Sequence, residues 1–382
     1  MQFEPYPFEK LNNLLDGIKE NEQFPISALT IGEPQFPTPK FIQEELEMSS
    51  SLLNKYPATA GQEYLKNAMI EFLSKRFKVK VLPAQIIPTF GTREVLFNFP
   101  QFLLHDVEEP TMAFTNPFYQ IYEGAAIASR ANVIHLNLTE ENDFLPFIDD
   151  AELKKCDLVI LNFPNNPTGA TITKEELVKW VRLAIDYDFV LLNDECYSEI
   201  YYNENEKPPS LLEACVAAGN LAYKNCLVVN SISKRSSAPG LRSGFIAGDR
   251  TILAKYMQYR TYTGCATPIP LQTAAATAWG AEKHVENFRK LYSENMRLAR
   301  EILGVKTPKA TFYIWLKVEN DLKFTRELYH KKSIKVLPGR YLGREGMGEN
   351  YVRIALVETP DKTKDILTRL KDFISTYKGD ES

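Results

Sequence analysis

Histidine is sparse in this sequence. Its four copies, His105, His135, His284 and His330, lie far apart, and none falls in an H-x-x-x-H or H-E-x-x-H spacing. No metal site is therefore expected. The five cysteines (Cys156, Cys196, Cys215, Cys226, Cys265) are odd in number, scattered and never paired as C-x-x-C. That pattern fits reduced thiols serving mostly as small core residues better than a disulfide framework. No apolar run approaches the roughly 18 residues of a membrane span. The N-terminus, Met1-Gln2-Phe3-Glu4-Pro5-Tyr6-Pro7, lacks the basic and apolar regions of a secretory signal, so a cytoplasmic protein is expected. An excess of one charge is missing as well. The 45 basic and 49 acidic residues leave a formal net charge of −4, which offers no basic face to nucleic acid. Small metabolites are the expected partners.

What is present is a chain of 382 residues, 44% apolar, long enough for two or three domains with a large core. No repeat, low-complexity tract or Gly/Ser linker divides it. From Lys80 to about Ile246 short apolar runs alternate with longer amphipathic ones. Strands are expected at 85–89, 111–114, 133–136, 158–161, 189–192, 226–230 and 243–247. Helices are expected over 92–104 and 120–129, and after a cap at Thr173 with acids in its first turn. This alternation predicts an α/β fold with a mostly parallel sheet covered on both faces, and sites at the carboxyl ends of its strands. Beyond Thr267 the texture changes to a helical stretch over 271–303, strands at 312–316 and 352–356, and a last helix over 361–377. The expected division is a segment 1–40 that joins a small α+β domain, a large domain 41–267, and the small domain 268–382.

One loop carries most of the chemistry. Ser231-Ile232-Ser233-Lys234-Arg235-Ser236-Ser237-Ala238-Pro239-Gly240-Leu241-Arg242-Ser243-Gly244 follows the expected strand 226–230. A lysine at a strand's carboxyl end, partly buried near other cations, has an amine that loses its proton easily and can attack an aldehyde. Ser231 and Arg242 offer a hydroxyl and a two-pronged guanidinium suited to phosphate. The pattern S-x-S-K-x-x-x-x-P-G-L-R-x-G resembles the signature of the fold-type I aminotransferases, class I/II. That resemblance implies pyridoxal 5'-phosphate bound as a Schiff base on Lys234. Ser231 and Arg242 would then hold the phosphate, with Ser233 assisting.

Other segments match the same family in order. In Asn193-Asp194-Glu195-Cys196-Tyr197 a carboxylate could keep a pyridine nitrogen protonated. The resemblance gives that role to Asp194 and contact with the ring's phenolic oxygen to Tyr197. Asn162-Phe163-Pro164-Asn165-Asn166-Pro167-Thr168-Gly169 is similar to N-P-x-N-P-T-G, whose last asparagine, here Asn166, also reaches that oxygen. Phe90-Gly91-Thr92-Arg93-Glu94 joins a strand to a helix start, an anion site by geometry, and the resemblance puts the phosphate on Gly91, Thr92 and Arg93. Asn116-Pro117-Phe118-Tyr119 resembles the turn whose aromatic stacks on the pyridine ring, here Tyr119. Arg353, a charge inside the apolar run 352–356, asks for an anion and matches the family's grip on the substrate α-carboxylate, with the Gly32 backbone beside it. Tyr56, followed by Gly61, resembles the tyrosine that reaches a neighbouring subunit's phosphate, which implies a homodimer with shared sites.

The expected function is transfer of an amino group between an amino acid and 2-oxoglutarate/glutamate. The overall look is similar to N-succinyldiaminopimelate aminotransferases of lysine biosynthesis. Such a long, carboxylate-rich donor calls for extra cations, for which Arg93, Lys55, Arg235 and Arg340 are candidates. Aspartate and aromatic donors, and a carbon–sulfur lyase with the same cofactor, remain open. The segment Lys309-Ala310-Thr311-Phe312-Tyr313 departs from the family by lacking a glycine.

Overall fold

A computed structural model describes residues 2–377. Seven strands form the main sheet: β1 (Ile86–Thr89), β2 (Thr111–Asn116), β3 (Asn132–Asn137), β4 (Leu158–Asn162), β5 (Val190–Asp194), β6 (Cys226–Ser231) and β7 (Gly244–Gly248). Their order is β1-β7-β6-β5-β4-β2-β3. All run parallel except β7, which is antiparallel to both neighbours. Every residue of β1, β2 and β4–β7 is buried, while the edge strand β3 is half exposed. Continuous Val/Ile/Leu runs are what a sheet covered on both faces requires, and separate apolar clusters cover each side.

The topology aligns one edge. Strands β1, β2, β4, β5 and β6 end there at Thr89, Asn116, Asn162, Asp194 and Ser231, with Asn162 paired to Asp194. Because β7 runs the other way, its first residue Gly244 pairs with both Ser231 and Thr89. The loop carrying Arg242 therefore enters from the same side. Every expected cofactor segment except that of Tyr56 follows or precedes one of these strand ends.

A second sheet has β8 (Tyr313–Lys317), β9 (Leu337–Pro338) and β10 (Tyr351–Ala355) in the antiparallel order β9-β10-β8. It carries its own apolar core with the helices Lys283–Leu303 and Pro360–Thr376. Residues 27–28 pair in parallel with 334–335, and the helix Pro7–Leu15 buries Leu11 and Leu15 against Tyr329, Leu337 and Leu342.

Local chemistry explains several elements. Thr173 accepts a hydrogen bond from Glu176 N at 3.2 Å and starts the helix Lys174–Asp186, a cap that contributes about 1 kcal/mol. The expected stretch 271–303 is two helices, Ile269–Gly280 and Lys283–Leu303. The break lies where Arg235 takes the carbonyls of Ala278 (2.8 Å), which also accepts from the Ala281 amide at 3.4 Å, and of Ala281 (3.1 Å), groups that a helix end leaves without intrahelical partners. The change of texture at residue 267 assigns the first of these helices to the second unit. It packs instead in the core of the main sheet, with Ala274, Ala275, Ala278 and Trp279 beside Phe72 and Phe245.

Candidate active site

Where the main sheet's aligned edge meets the second sheet there is a cavity of about 860 Å³. Its lining includes Gly32, Thr92, Arg93, Tyr119, Asn166, Asp194, Tyr197, Ser231, Ser233, Lys234, Arg242 and Arg353. These residues come from eight separate stretches of chain. Gly91 stands at the rim: it caps the helix Thr92–Leu103 with φ +73°, and a Cβ there would lie 2.9 Å from Arg242 Cζ. Among the expected site residues only Tyr56 lies apart, fully exposed on the surface.

Lys234 sits in the short helix Ile232–Arg235 directly after β6, half-buried, with its amine donating to the Gly32 carbonyl. Burial lowers its pKa to about 8, and the cations Arg353 and Arg242 push the same way. A substantial fraction is therefore the neutral nucleophile near neutrality. Around it, no carboxylate forms an ion pair with Arg93, Lys234, Arg242 or Arg353 among the described residues. Arg242 bonds the Pro239 carbonyl at 2.8 Å, and Arg93 Nε donates to the Tyr119 hydroxyl at 2.8 Å. The cavity has a cationic character waiting for anions.

What the arrangement leaves unsatisfied matches the groups of pyridoxal phosphate. The helix Thr92–Leu103 begins with no side-chain cap, so its first turn presents free amides beside Arg242, Ser231 and Ser233, as an anion requires. Asp194 is buried, and burial raises its pKa. Its oxygens accept from the Tyr122 hydroxyl at 2.9 Å and the Cys196 amide at 3.2 Å, with no cation, which leaves room for a pyridinium partner. Arg353 spends Nη1 on Asn166 Oδ1 (2.8 Å) and Nη2 on the Thr30 carbonyl (2.5 Å), but its buried Nε has no partner. The residues fit the cofactor and a substrate carboxylate.

Two of the proposed extra cations are taken by other partners, and a third lies elsewhere. Arg235 is buried behind the loop, bonded to the carbonyls above and paired with Glu282. Arg340 serves the buried Asp321, its Nε 2.7 Å from Oδ1, because a buried carboxylate is costly without a partner. Lys55 lies outside the cavity on the exposed surface. Arg93 alone lines it. The structure also adds residues that sequence reasoning passed over. Tyr122 holds Asp194, and Cys196, expected as core, lines the cavity with its sulfur 3.3 Å from Thr92 Oγ1. Tyr313 bonds Tyr197, and Tyr6, Pro7 and Phe8 reach the mouth.

Comparisons with known proteins agree with this geometry. Residues 25–370 match the family model "Aminotransferase class I and II". The crystal structure of aminotransferase AspB from Helicobacter pylori superposes with a TM-score of 0.96 at 49% identity, over 99% of this chain and 100% of that one. An aminotransferase from Neisseria meningitidis gives 0.93 at 41% identity, over 99% and 98%. The LL-diaminopimelate aminotransferase of Natranaerobius thermophilus is 30% identical, over 96% of this chain and 99% of its own length. With a match running through both sheets and every strand end that lines the cavity, the chain belongs to the class I and II aminotransferase family and is a pyridoxal-phosphate-dependent aminotransferase.

Proposed function

We propose that the cavity moves an amino group between 2-oxoglutarate/glutamate and a long dicarboxylic amino acid of the N-succinyl-LL-2,6-diaminopimelate type, within lysine biosynthesis. The observation that carries this reading is the convergence of Lys234, Asp194, Asn166 and Arg353 on one cavity, with Arg93 left over as a cation lacking a carboxylate partner. The similarity to an LL-diaminopimelate aminotransferase supports a diaminopimelate-like donor.

When bound, the cofactor supplies an electron sink that lets the substrate Cα release its proton. Lys234 is the amine that would hold the cofactor's aldehyde carbon. The same amine would move the substrate Cα proton as general base and general acid, a task suited to a pKa near 8. Asp194, kept in place by Tyr122, holds the proton on the ring nitrogen. Gly91, Thr92 and Arg93 would hold the phosphate through their backbone amides at the helix start, with Ser231, Ser233 and Arg242, which leaves the Arg93 side chain free for the donor, and Tyr119 would stack on the ring. Tyr197 and Asn166 serve the phenolic oxygen. Arg353 grips the α-carboxylate beside Gly32. Tyr56 serves the cavity of a second copy, which makes the working enzyme a homodimer.

The test has two parts. Borohydride treatment of the cofactor-loaded protein should label Lys234; a label on another lysine overturns the assignment. A donor panel with 2-oxoglutarate should then form glutamate fastest from N-succinyl-LL-2,6-diaminopimelate. Aspartate or an aromatic amino acid outpacing it would replace the donor, and pyruvate with ammonia from a cysteine conjugate would replace the reaction.

A further inference from the structure

Tyr313 touches three segments at once. Its hydroxyl is 2.9 Å from the Tyr197 hydroxyl, and its ring centroid is 4.5 Å from the Arg353 guanidinium. Its ring also lies so close to Gly32 that a Cβ there would be 2.7 Å from Tyr313 Cζ. Both tyrosines are buried, and among the described residues neither hydroxyl makes another hydrogen bond. The backbone before Tyr313 is held in an unusual state to achieve this. Thr311, a β-branched residue, adopts φ +68°, which costs about 1–2 kcal/mol. Its amide bonds the Ile200 carbonyl at 2.9 Å, its hydroxyl accepts from Tyr313 N at 3.2 Å, and its carbonyl accepts from the half-buried Tyr202. Three bonds hold a threonine where a glycine would be relaxed. Strain retained beside a cleft points to a residue whose place matters.

Two hydroxyls 2.9 Å apart share one proton in their bond. If Tyr197 donated it, Tyr197 would have nothing left for the cofactor's ring oxygen. We propose that Tyr313 is a positioning residue for amino transfer: its hydroxyl donates to Tyr197, so that Tyr197 aims its own proton at the cofactor oxygen, while its ring keeps Arg353 oriented toward the substrate carboxylate. This rests on the roles given above to Tyr197 and Arg353. A hydroxyl that accepts one hydrogen bond donates the next more strongly, and a ring face beneath a guanidinium adds a cation–π attraction. The titratable and charged groups facing the pair are Asp194, Cys196, Lys234, Tyr292 and Arg353, and a Tyr313→Phe substitution leaves all of them in place.

The test uses the cofactor-loaded enzyme and the pH midpoint of its visible absorbance change. A proton donated to the cofactor's phenolic oxygen favours the deprotonated chromophore, so weakening that donor raises the midpoint. Tyr313→Phe should raise it by about half to one pH unit, one hydrogen bond's worth, in the same direction as Tyr197→Phe and by less. Its KM for the amino donor should stay within about twofold. Tyr313→Leu should give the same midpoint and also raise KM about fivefold, because the ring over Arg353 is gone. The double variant Tyr197→Phe/Tyr313→Phe should match Tyr197→Phe alone. An unchanged or lowered midpoint in Tyr313→Phe, with the Tyr197→Phe shift intact, overturns the proposal by itself. A silent Tyr197→Phe variant, or a wild type without the visible band, overturns the roles on which it rests and this proposal with them.

Discussion

Lys234 and Arg235 are neighbours in sequence and occupy opposite regions of the molecule. Behind the loop, Arg235 has a carboxylate, Glu282, and backbone carbonyls for its guanidinium, which also lies 5.0 Å from the centroid of Phe72 and 5.5 Å from that of Trp279. Its field and its burial together push His284 down to about 4, burial being the larger cause, so that region stays neutral apart from the pair. In front of the loop, Lys234 has one carbonyl, and Arg353 has an amide oxygen, a carbonyl and an unpaired Nε. Neither has a carboxylate partner. A buried cation whose counter-charge comes from its own fold is structural, and one left without it is arranged for a ligand. Composition cannot make that distinction, since both arginines are equally buried.

Three measurements would break or sharpen the contrast. The largest effect belongs in front. Arg353→Ala should lower kcat/KM for the amino donor about a thousandfold by removing a buried two-pronged carboxylate contact, while thermal stability falls little. A large loss of stability instead would make Arg353 another Arg235. Behind the loop the expectation reverses. Arg235→Met should cost about 3 kcal/mol of stability, read by denaturant unfolding, because it strands the Ala281 carbonyl and removes the shorter bond to that of Ala278 and the pair with Glu282. KM for the donor should be nearly unchanged; a tenfold rise would return Arg235 to the cleft. The smallest effect is the pH dependence of the cofactor-free protein. Burial lowers the folded pKa of Lys234 from 10.5 to about 8, so between those values the unfolded chain binds the extra proton. Stability should then rise with pH from about 8 to 10.5 relative to a Lys234→Met variant. Parallel melting curves across that window would contradict the lowered value.

Legibility followed chain continuity. The strands of the main sheet, the helix starting after Thr173 and the loop around Lys234 were readable because apolar runs, a cap residue and a long motif each lie within one short segment. Gly32, Asn166, Arg353 and the cofactor residues were nameable through family resemblance, and all but Gly91, at the rim, and Tyr56 line the cavity. What could not be read were pairings between distant segments. Tyr122 with Asp194 spans 72 residues, Tyr197 with Tyr313 spans 116, and no local pattern in either partner announces the other. The same reason explains why Arg235 and Arg340 looked available for substrate: a cation in a polar loop carries no mark of the Glu282 or Asp321 that claims it. Cys196 reads as a small core residue for the opposite reason, since it faces the cavity only through the turn that Asp194 caps.

By itself, the amino-acid sequence determined the alternation of buried strands and amphipathic helices, the family and its cofactor, and it named the lysine proposed to meet that cofactor. Those are properties of short stretches, where side-chain type and spacing act directly on the local backbone. Tertiary structure alone decided which buried charges are neutralised and which are left open, where the helix after residue 269 breaks, and which hydroxyl stands beside Tyr197. These depend on partners tens to hundreds of residues away, and hydrogen bonding and desolvation act only once the chain has brought them within about 3 Å.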